Sequence, residues 1–359
     1  MKQSDSTTVN IPAALTAPLL VWYRENARDL PWRHMEDPYR IWVSEIMLQQ
    51  TRVAAVLGYY ARFLEAFPTV DALAAADEER LMKLWEGLGY YSRARNLQKA
   101  AQEIVKLGNF PDTYEGLLAL PGIGDYTASA IAAAAFGRSE PAVDGNVLRV
   151  VTRLTDCHDD ILDAGTKRSI RAALSAVMPE SGADVRIFNQ AMMELGATLC
   201  GPNTAPQCGA CPVRSLCLGL QRGTAAELPV KKPKKGRRME EKTVFLLIRD
   251  GKIALRKRPK TGLLAGLWEF PNVEGALNES AAGEAVETMG LTPIDWRSRL
   301  TAKHIFTHVE WHMTGYALTV RGSGPAELEW VDQAGLAERS VPSAFARYYE
   351  EANDILKEN

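Results

Sequence analysis

The chain has 359 residues, 46% apolar and 24% charged, with a formal net charge of −2. That composition is ordinary for folded globular protein and, at this length, suggests two domains or three. It offers no global basic field for nucleic acid, so any DNA-binding surface has to be a local patch, and no apolar run approaches a membrane span.

The opening MKQSDSTTVN lacks the apolar centre of a signal peptide. An intracellular, cytoplasmic protein is therefore expected, in which five cysteines do not form a disulfide framework. From Ile11 to about Val230 apolar residues recur at three and four spacing. The segments are Leu15–Tyr23, Tyr39–Leu48, Val53–Phe67, Leu81–Leu84, Leu97–Leu107, Ala128–Phe136, Val147–Leu154, Ile170–Val177 and Phe188–Leu199. They predict a bundle of short helices. The basic, proline- and glycine-containing stretch Pro229–Arg238 reads as an exposed linker. Beyond Glu241 the period changes. Lys242–Arg249 and Lys252–Arg258 read as strands joined at Asp250-Gly251, with further strands at Val309–Val320 and Leu328–Val331. Helices are expected at Glu279–Met289 and Ser343–Leu356. The expected organisation is an all-α domain over residues 1–218, a basic linker over 219–241 and a smaller α+β domain over 242–359.

Within the helical part, Leu120–Leu154 concentrates unusual features. Pro121-Gly122-Ile123-Gly124 is a tight turn ahead of an alanine-rich helix. Gly122 and Gly124 leave backbone N–H groups open beside a helix N-terminus, where a phosphate is favoured. Downstream, Asp144 stands at an N-cap position. A plain helical hairpin and an ordinary cap give the same pattern. Glu45 interrupts an apolar helix, where burial would raise its pKa and suit it to a general acid. A solvent-facing Glu is the alternative. The helix terminus at Asp144 should favour the ionised form and lower its pKa. Two carboxyls pushed apart in this way are the acid-plus-anion pair that cleaves glycosidic bonds. Arg28–Arg33 and Gly87–Tyr91 set aromatic residues beside arginine or glycine in turns, suited to bases and phosphates or to ordinary packing.

Cys200, Cys208, Cys211 and Cys217 fall within eighteen residues, with x7, x2 and x5 spacing. Structural zinc usually shows two close pairs, and only one exists here. The irregular spacing suits a cubane iron–sulfur cluster, with zinc and then free thiols as the other readings. Cys157 stands apart and is expected to be a small, partly buried residue.

Taken together, LPWR (Leu30–Arg33), VSEIMLQQTRV (Val43–Val53), WEGLGYYSRARNL (Trp85–Leu97), LPGIGDYTA (Leu120–Ala128), PAVDGNVLRV (Pro141–Val150), FNQAMMELGA (Phe188–Ala197) and GLWEFP (Gly266–Pro271) carry a resemblance over nearly the whole chain. The chain resembles adenine DNA glycosylases of the MutY type, in the helix-hairpin-helix superfamily of base-excision enzymes. The resemblance implies a monofunctional glycosylase acting on adenine opposite 8-oxoguanine or guanine in double-stranded DNA. It also implies one [4Fe–4S] cluster on the four cysteines and a C-terminal Nudix-like domain. The general acid falls on Glu45 and the catalytic aspartate on Asp144, assisted by Tyr126 and Asn146. Arg28, Trp32, Arg33, Leu48 and Gln190 fall on the adenine pocket. Gln50, Thr51, Leu88 and Tyr90 fall on wedging loops near the oxidised base. Tyr126 stands where bifunctional relatives carry a lysine, and a phenol forms no Schiff base. A monomer is expected, with contacts to repair proteins possible through the linker.

Three departures from that pattern bear on function. The first cysteine loop is x7 where x6 is usual, which predicts a one-residue bulge between Gly201 and Gln207. The usual Phe-Ser-His appears as Phe306-Thr307-His308, which keeps the hydroxyl and adds a methyl. Glu279, Glu284 and Glu287 are not arranged as a Nudix phosphohydrolase signature, so the domain is expected to read DNA without hydrolysing nucleotides.

Overall fold

The computed structural model describes residues 9–202, 205–232 and 236–358. Residues 1–8, read above for a leader, lie outside this set. So do 203–204, within the expected cysteine-loop bulge, and 233–235, in the centre of the basic linker. The chain forms two compact units, one of Met1–Ala75 with Asn96–Pro233, the other of Ala76–Arg95 with Lys234–Asn359. The division is not contiguous as the sequence suggests, because Ala76–Arg95 groups with the C-terminal part. Its side chains explain why: Lys83 donates to the Arg339 carbonyl, the Val341 N–H donates to Glu86, and Lys257 pairs with Glu79.

The first unit is helical: α1 (Thr16–Asn26), α2 (Pro38–Leu48), α3 (Val53–Ala66) and α4 (Val70–Ala74) precede the segment of the other unit that holds α5 (Glu78–Trp85). Then come α6 (Ser92–Leu107), α7 (Tyr114–Leu118), α8 (Asp125–Phe136), α9 (Gly145–Thr155), α10 (Ala164–Ser175), α11 (Ala183–Thr198) and α12 (Leu218–Arg222). Capping side chains set many of the starts. Asp37 accepts from the Tyr39 and Arg40 N–H groups ahead of Pro38, and Thr69, Thr113, Asp144 and Asp163 cap in the same manner. The alanines of α8 are buried nearly all round, which makes it a central helix. At the hairpin, Gly122 has φ +76°, and a Cβ there would lie 2.5 Å from Asn96 Cβ. Only glycine satisfies both conditions. The expected linker is packed at its start. Leu228 is buried and the Val230 carbonyl accepts from Ile161 N–H, whereas Lys231, Lys232, Gly236 and Arg237 are exposed.

The second unit is built on a seven-stranded mixed sheet: β1 (Arg238–Arg249), β2 (Lys252–Lys257), β3 (Trp268–Glu269), β4 (Asn272–Glu274), β5 (Thr292–Ile305), β6 (Val309–Arg321) and β7 (Leu328–Val331). The order is β3-β2-β1-β6-β5, with β4 on β1 and β7 on β2. The β1–β2 turn is the expected Asp250-Gly251 hairpin, both residues at positive φ. β1 lies parallel to β6 and is buried on both faces. Val244, Leu246 and Ile248 pack with α15 (Ala346–Lys357), and Phe245 and Leu247 with α13 (Glu279–Thr288). A further helix, α14 (Gln333–Glu338), follows β7. Among the described residues no helix is long and apolar enough to cross a membrane.

Candidate active site

Within the helical unit, α2, α8, α11, the start of α9 and the turn after α1 enclose a cavity of about 750 Å³. Glu45, Tyr126, Asp144 and Asn146 all line it, together with Arg28, Trp32, Arg33, Leu48, Gln50, Thr51, Gly122, Gly124 and Gln190. Every residue that the sequence assigned to this unit's pocket and adjacent loops thus borders one space, although they come from segments up to about 160 residues apart.

Glu45 projects from the middle of α2, and its Oε2 accepts a hydrogen bond of 2.7 Å from the Tyr126 hydroxyl. The same hydroxyl lies 3.3 Å from Met193 Sδ on α11. Burial is the main cause that pushes Glu45 up to about 7, and the nearby Asp144 charge adds to it. The Tyr126 bond and the Arg33 charge pull the other way. Tyr126 is itself raised well above the ordinary phenol range, first by burial and then by these carboxyls, so it stays a neutral donor.

Asp144 is the N-cap of α9. Its Oδ1 accepts from the Val147 N–H at 2.8 Å and its Oδ2 from the Asn146 amide at 2.7 Å. The terminus was expected to depress its pKa, but the net shift is upward. Burial outweighs the Val147 and Asn146 hydrogen bonds and the Arg149 charge. The two carboxyls are therefore pushed in the same direction, and they differ in how fully hydrogen bonds compensate them. Behind Asp144, Asn146 Oδ1 accepts from Arg149 Nη2 at 2.8 Å, and Arg149 Nε donates to the Cys200 carbonyl at 2.8 Å.

Glu194, absent from the sequence-derived set, lies in the same wall on α11 with its side chain wholly buried. Arg28 donates to it through Nε at 2.7 Å, Nη2 at 2.8 Å and its backbone N–H at 3.2 Å, and Arg33 through Nη2 at 2.6 Å. Burial alone would raise its pKa, but these bonds outweigh it and hold Glu194 at about 2. The signal was available, since Glu194 interrupts an apolar helix just as Glu45 does. Gln190, one turn earlier, accepts from the Tyr23 hydroxyl at 2.6 Å.

Cys200, Cys208, Cys211 and Cys217 line one small cavity with Arg153 and Arg214. Arg153 Nη1 donates to Cys200 Sγ at 3.2 Å and to the Cys200 and Gly201 carbonyls. Among the described residues no three His, Cys, Asp or Glu side chains are grouped so as to hold one metal ion. Cys157 is buried apart from them.

The remaining predicted residues belong to the second unit. Phe306 packs edge-on against Trp311 and His304, and its N–H bonds to the Val309 carbonyl, so Thr307 and His308 form the exposed tip between β5 and β6. Tyr90 is half exposed at φ +47°, and its hydroxyl lies 2.9 Å from Thr307 Oγ1. Leu88 is buried, its carbonyl held by Arg93 at 2.9 Å.

Comparison with known proteins matches residues 43–179 to the HhH-GPD superfamily of base excision DNA repair proteins. Residues 243–351 match the NUDIX domain. The adenine DNA glycosylase of Homo sapiens is 34% identical over 94% of this chain and 73% of its own length. That of Rattus norvegicus is 35% identical over 93% and 77%. The chain belongs to the adenine DNA glycosylase family. It is a DNA N-glycosylase with a helical HhH-GPD domain followed by a Nudix-like domain. Among solved structures, a thermostable thymine-DNA glycosylase aligns with 58% of this chain and 96% of its own, at 26% identity and a TM-score of 0.51. This chain and a thymine-DNA glycosylase thus share the helical scaffold.

Proposed function

We propose that this enzyme hydrolytically removes adenine from double-stranded DNA where it is mispaired with 8-oxoguanine or guanine, and leaves an abasic site. The observation that carries the reading is a carboxyl of pKa about 7, hydrogen-bonded to a phenol, sharing one cavity with a capped aspartate. At neutral pH a large fraction of Glu45 holds a proton to give. The cavity takes a flipped base, whose extrusion costs a few kcal/mol of stacking. Glu45 protonates adenine N7, the C1′–N9 bond breaks with its electron pair going to the base, and adenine leaves neutral. The positive charge passes to the sugar, where ionised Asp144 stabilises the oxocarbenium ion or forms a transient acetal; water then attacks C1′, releasing the Asp144 carboxylate from any acetal and giving its proton to the Glu45 carboxylate. No amine stands at Tyr126, so the chemistry ends at the abasic site.

We assign recognition of 8-oxoguanine to Phe306, Thr307 and His308 with Tyr90 and Leu88, supported by the Tyr90–Thr307 hydrogen bond and the exposed tip. The four cysteines fit one [4Fe–4S] cluster. Four thiols that line one small cavity, with only one close Cys-x2-Cys pair among them, are a donor set suited to a polynuclear centre. When bound, the cluster would cross-link the Cys200–Cys217 loop. Intact protein should then contain about four irons and about four labile sulfides per chain, and Cys208→Ser should lower that ratio; zinc in their place would overturn the assignment.

The decisive experiment is single-turnover excision on duplexes holding 8-oxoguanine·A, G·A, G·T or 8-oxoguanine·C, each with and without alkali. Alkali-dependent breakage at adenine, fastest opposite 8-oxoguanine, is expected. Breakage at thymine, breakage without alkali, or tight binding with no base release would each overturn a named part of the reading.

A further inference from the structure

We propose that Glu194 is the positioning residue of the base pocket: it fixes the Arg28 and Arg33 guanidiniums in the cavity wall and neutralises part of their charge, so that a base can be protonated beside them. The proposal rests on the adenine-excision reading above.

The geometry is that of a built clamp. Both carboxylate oxygens of a fully buried side chain are used, and one loop supplies both guanidiniums and a backbone N–H. Arg33 is further fixed by its bond to the Arg28 carbonyl and by the face of the Tyr23 ring, 5.6 Å away. Tyr23 in turn engages the Gln190 oxygen, which leaves the Gln190 amide N–H₂ as a donor. Arg28 keeps 41% of its side chain exposed, and its Nη1 makes no hydrogen bond among the described residues. Clamped in this way, Arg28 Nη1 and the Gln190 amide are donors for the ring-nitrogen acceptors of a purine. A buried ion pair such as Arg33–Glu194 gives little stability that apolar packing would not, which is consistent with a functional reason for its presence.

Charge is the second element. Glu45 is faced by Tyr126 from α8, Asp144 at the start of α9 and Arg33 from the loop, and Arg33 favours its ionised form. Glu194 balances Arg33. Without that balance Glu45 ionises at lower pH, and the pocket repels a protonated base.

The test is single-turnover excision across pH on 8-oxoguanine·A duplexes with wild type, E194Q, R33Q and the E194Q/R33Q double variant, folding being checked by helical circular dichroism. For E194Q we expect a rate loss of about tenfold or more, weaker half-saturation, and a high-pH limb moved down by about half a unit or more. R33Q should move the limb up, and the double variant should return it toward wild type. E194D, which keeps the charge, should restore the limb position. An E194Q limb identical to wild type, or equal rate losses in E194Q and E194D with no limb movement, would leave Glu194 as packing only and overturn the proposal. If E194Q does not fold, a wild-type limb in R33Q overturns it instead. Failure of the wild-type enzyme to release adenine at all would refute the underlying function, a separate outcome from any variant result.

Discussion

Two glutamates on different helices line the cavity, and burial treats them alike while their partners do not. Glu45 on α2 receives one phenol hydrogen bond and rises to about 7. Glu194 on α11 receives four N–H bonds from two arginines and falls to about 2. Desolvation disfavours the charge in both. What separates an acid from a structural anion is the number and charge of the donors around it, which an apolar helix pattern does not reveal. The sharpest way to break the comparison is Glu45→Gln. It keeps shape but holds no transferable proton, so single-turnover excision should fall about 10²- to 10⁴-fold while mismatch binding persists. Unchanged excision would remove Glu45 from the acid role. In the native enzyme the same reasoning sets the pH profile. With Glu45 as the proposed acid only the protonated form would be active, and excision is expected to decline as pH rises through about 7.

Stability should separate the two glutamates by sign. Glu45 has a folded pKa of about 7 against an ordinary 4.5, so the native state binds the extra proton between those values. Stability is therefore lost as pH rises from 4.5 through about 7. Glu45→Gln removes that loss, and the unfolding free energy at pH 8, read from thermal melting, should rise by up to about 3 kcal/mol, at about 1.4 kcal/mol per unit, with little change at pH 4. Glu194 is depressed from 4.5 to about 2, so its contribution is present above 4.5 and disappears as pH falls through about 2. Glu194→Gln should accordingly lower the melting temperature at pH 8, by a similar free energy. Shifts of the same sign in both variants would mean that one carboxyl has been assigned the wrong protonation state.

Much of this was legible in the sequence because the helices of the cavity are long and periodic. Glu45, the Gly122 turn and Asp144 each sit at a recognisable place on such a helix. The short helices α4 and α7 span too little chain to show a period, and Thr69 and Thr113 are their main local marks. The long strand β5 also escaped, because its burial alternates between exposed and partly covered and its sequence reads as polar. The Asp144 shift was misjudged for a different reason. A helix terminus is a local feature readable in a sequence, whereas the desolvation that outweighs it comes from α2, α8 and α11 closing over the site. Glu194's place inside an apolar helix was visible in the same sequence, but its partners Arg28 and Arg33, about 160 residues away, were not.

The smallest predicted effect probes the single hydrogen bond that tempers Glu45. The Tyr126 phenol stabilises the Glu45 carboxylate and so lowers a pKa that burial has raised. Tyr126→Phe removes the donor while keeping the aromatic ring, so the high-pH limb of excision should move upward, by up to about one unit. At neutral pH more of the enzyme is then protonated, but the carboxyl loses the partner that orients it. The net rate should change only severalfold. The direction is opposite to that expected for Glu194→Gln, so the two variants together report whether the phenol and the arginine clamp act on one proton. A limb that stays fixed in Tyr126→Phe would mean that the hydroxyl serves Met193 or Asp144 and that Glu45 is set by burial alone.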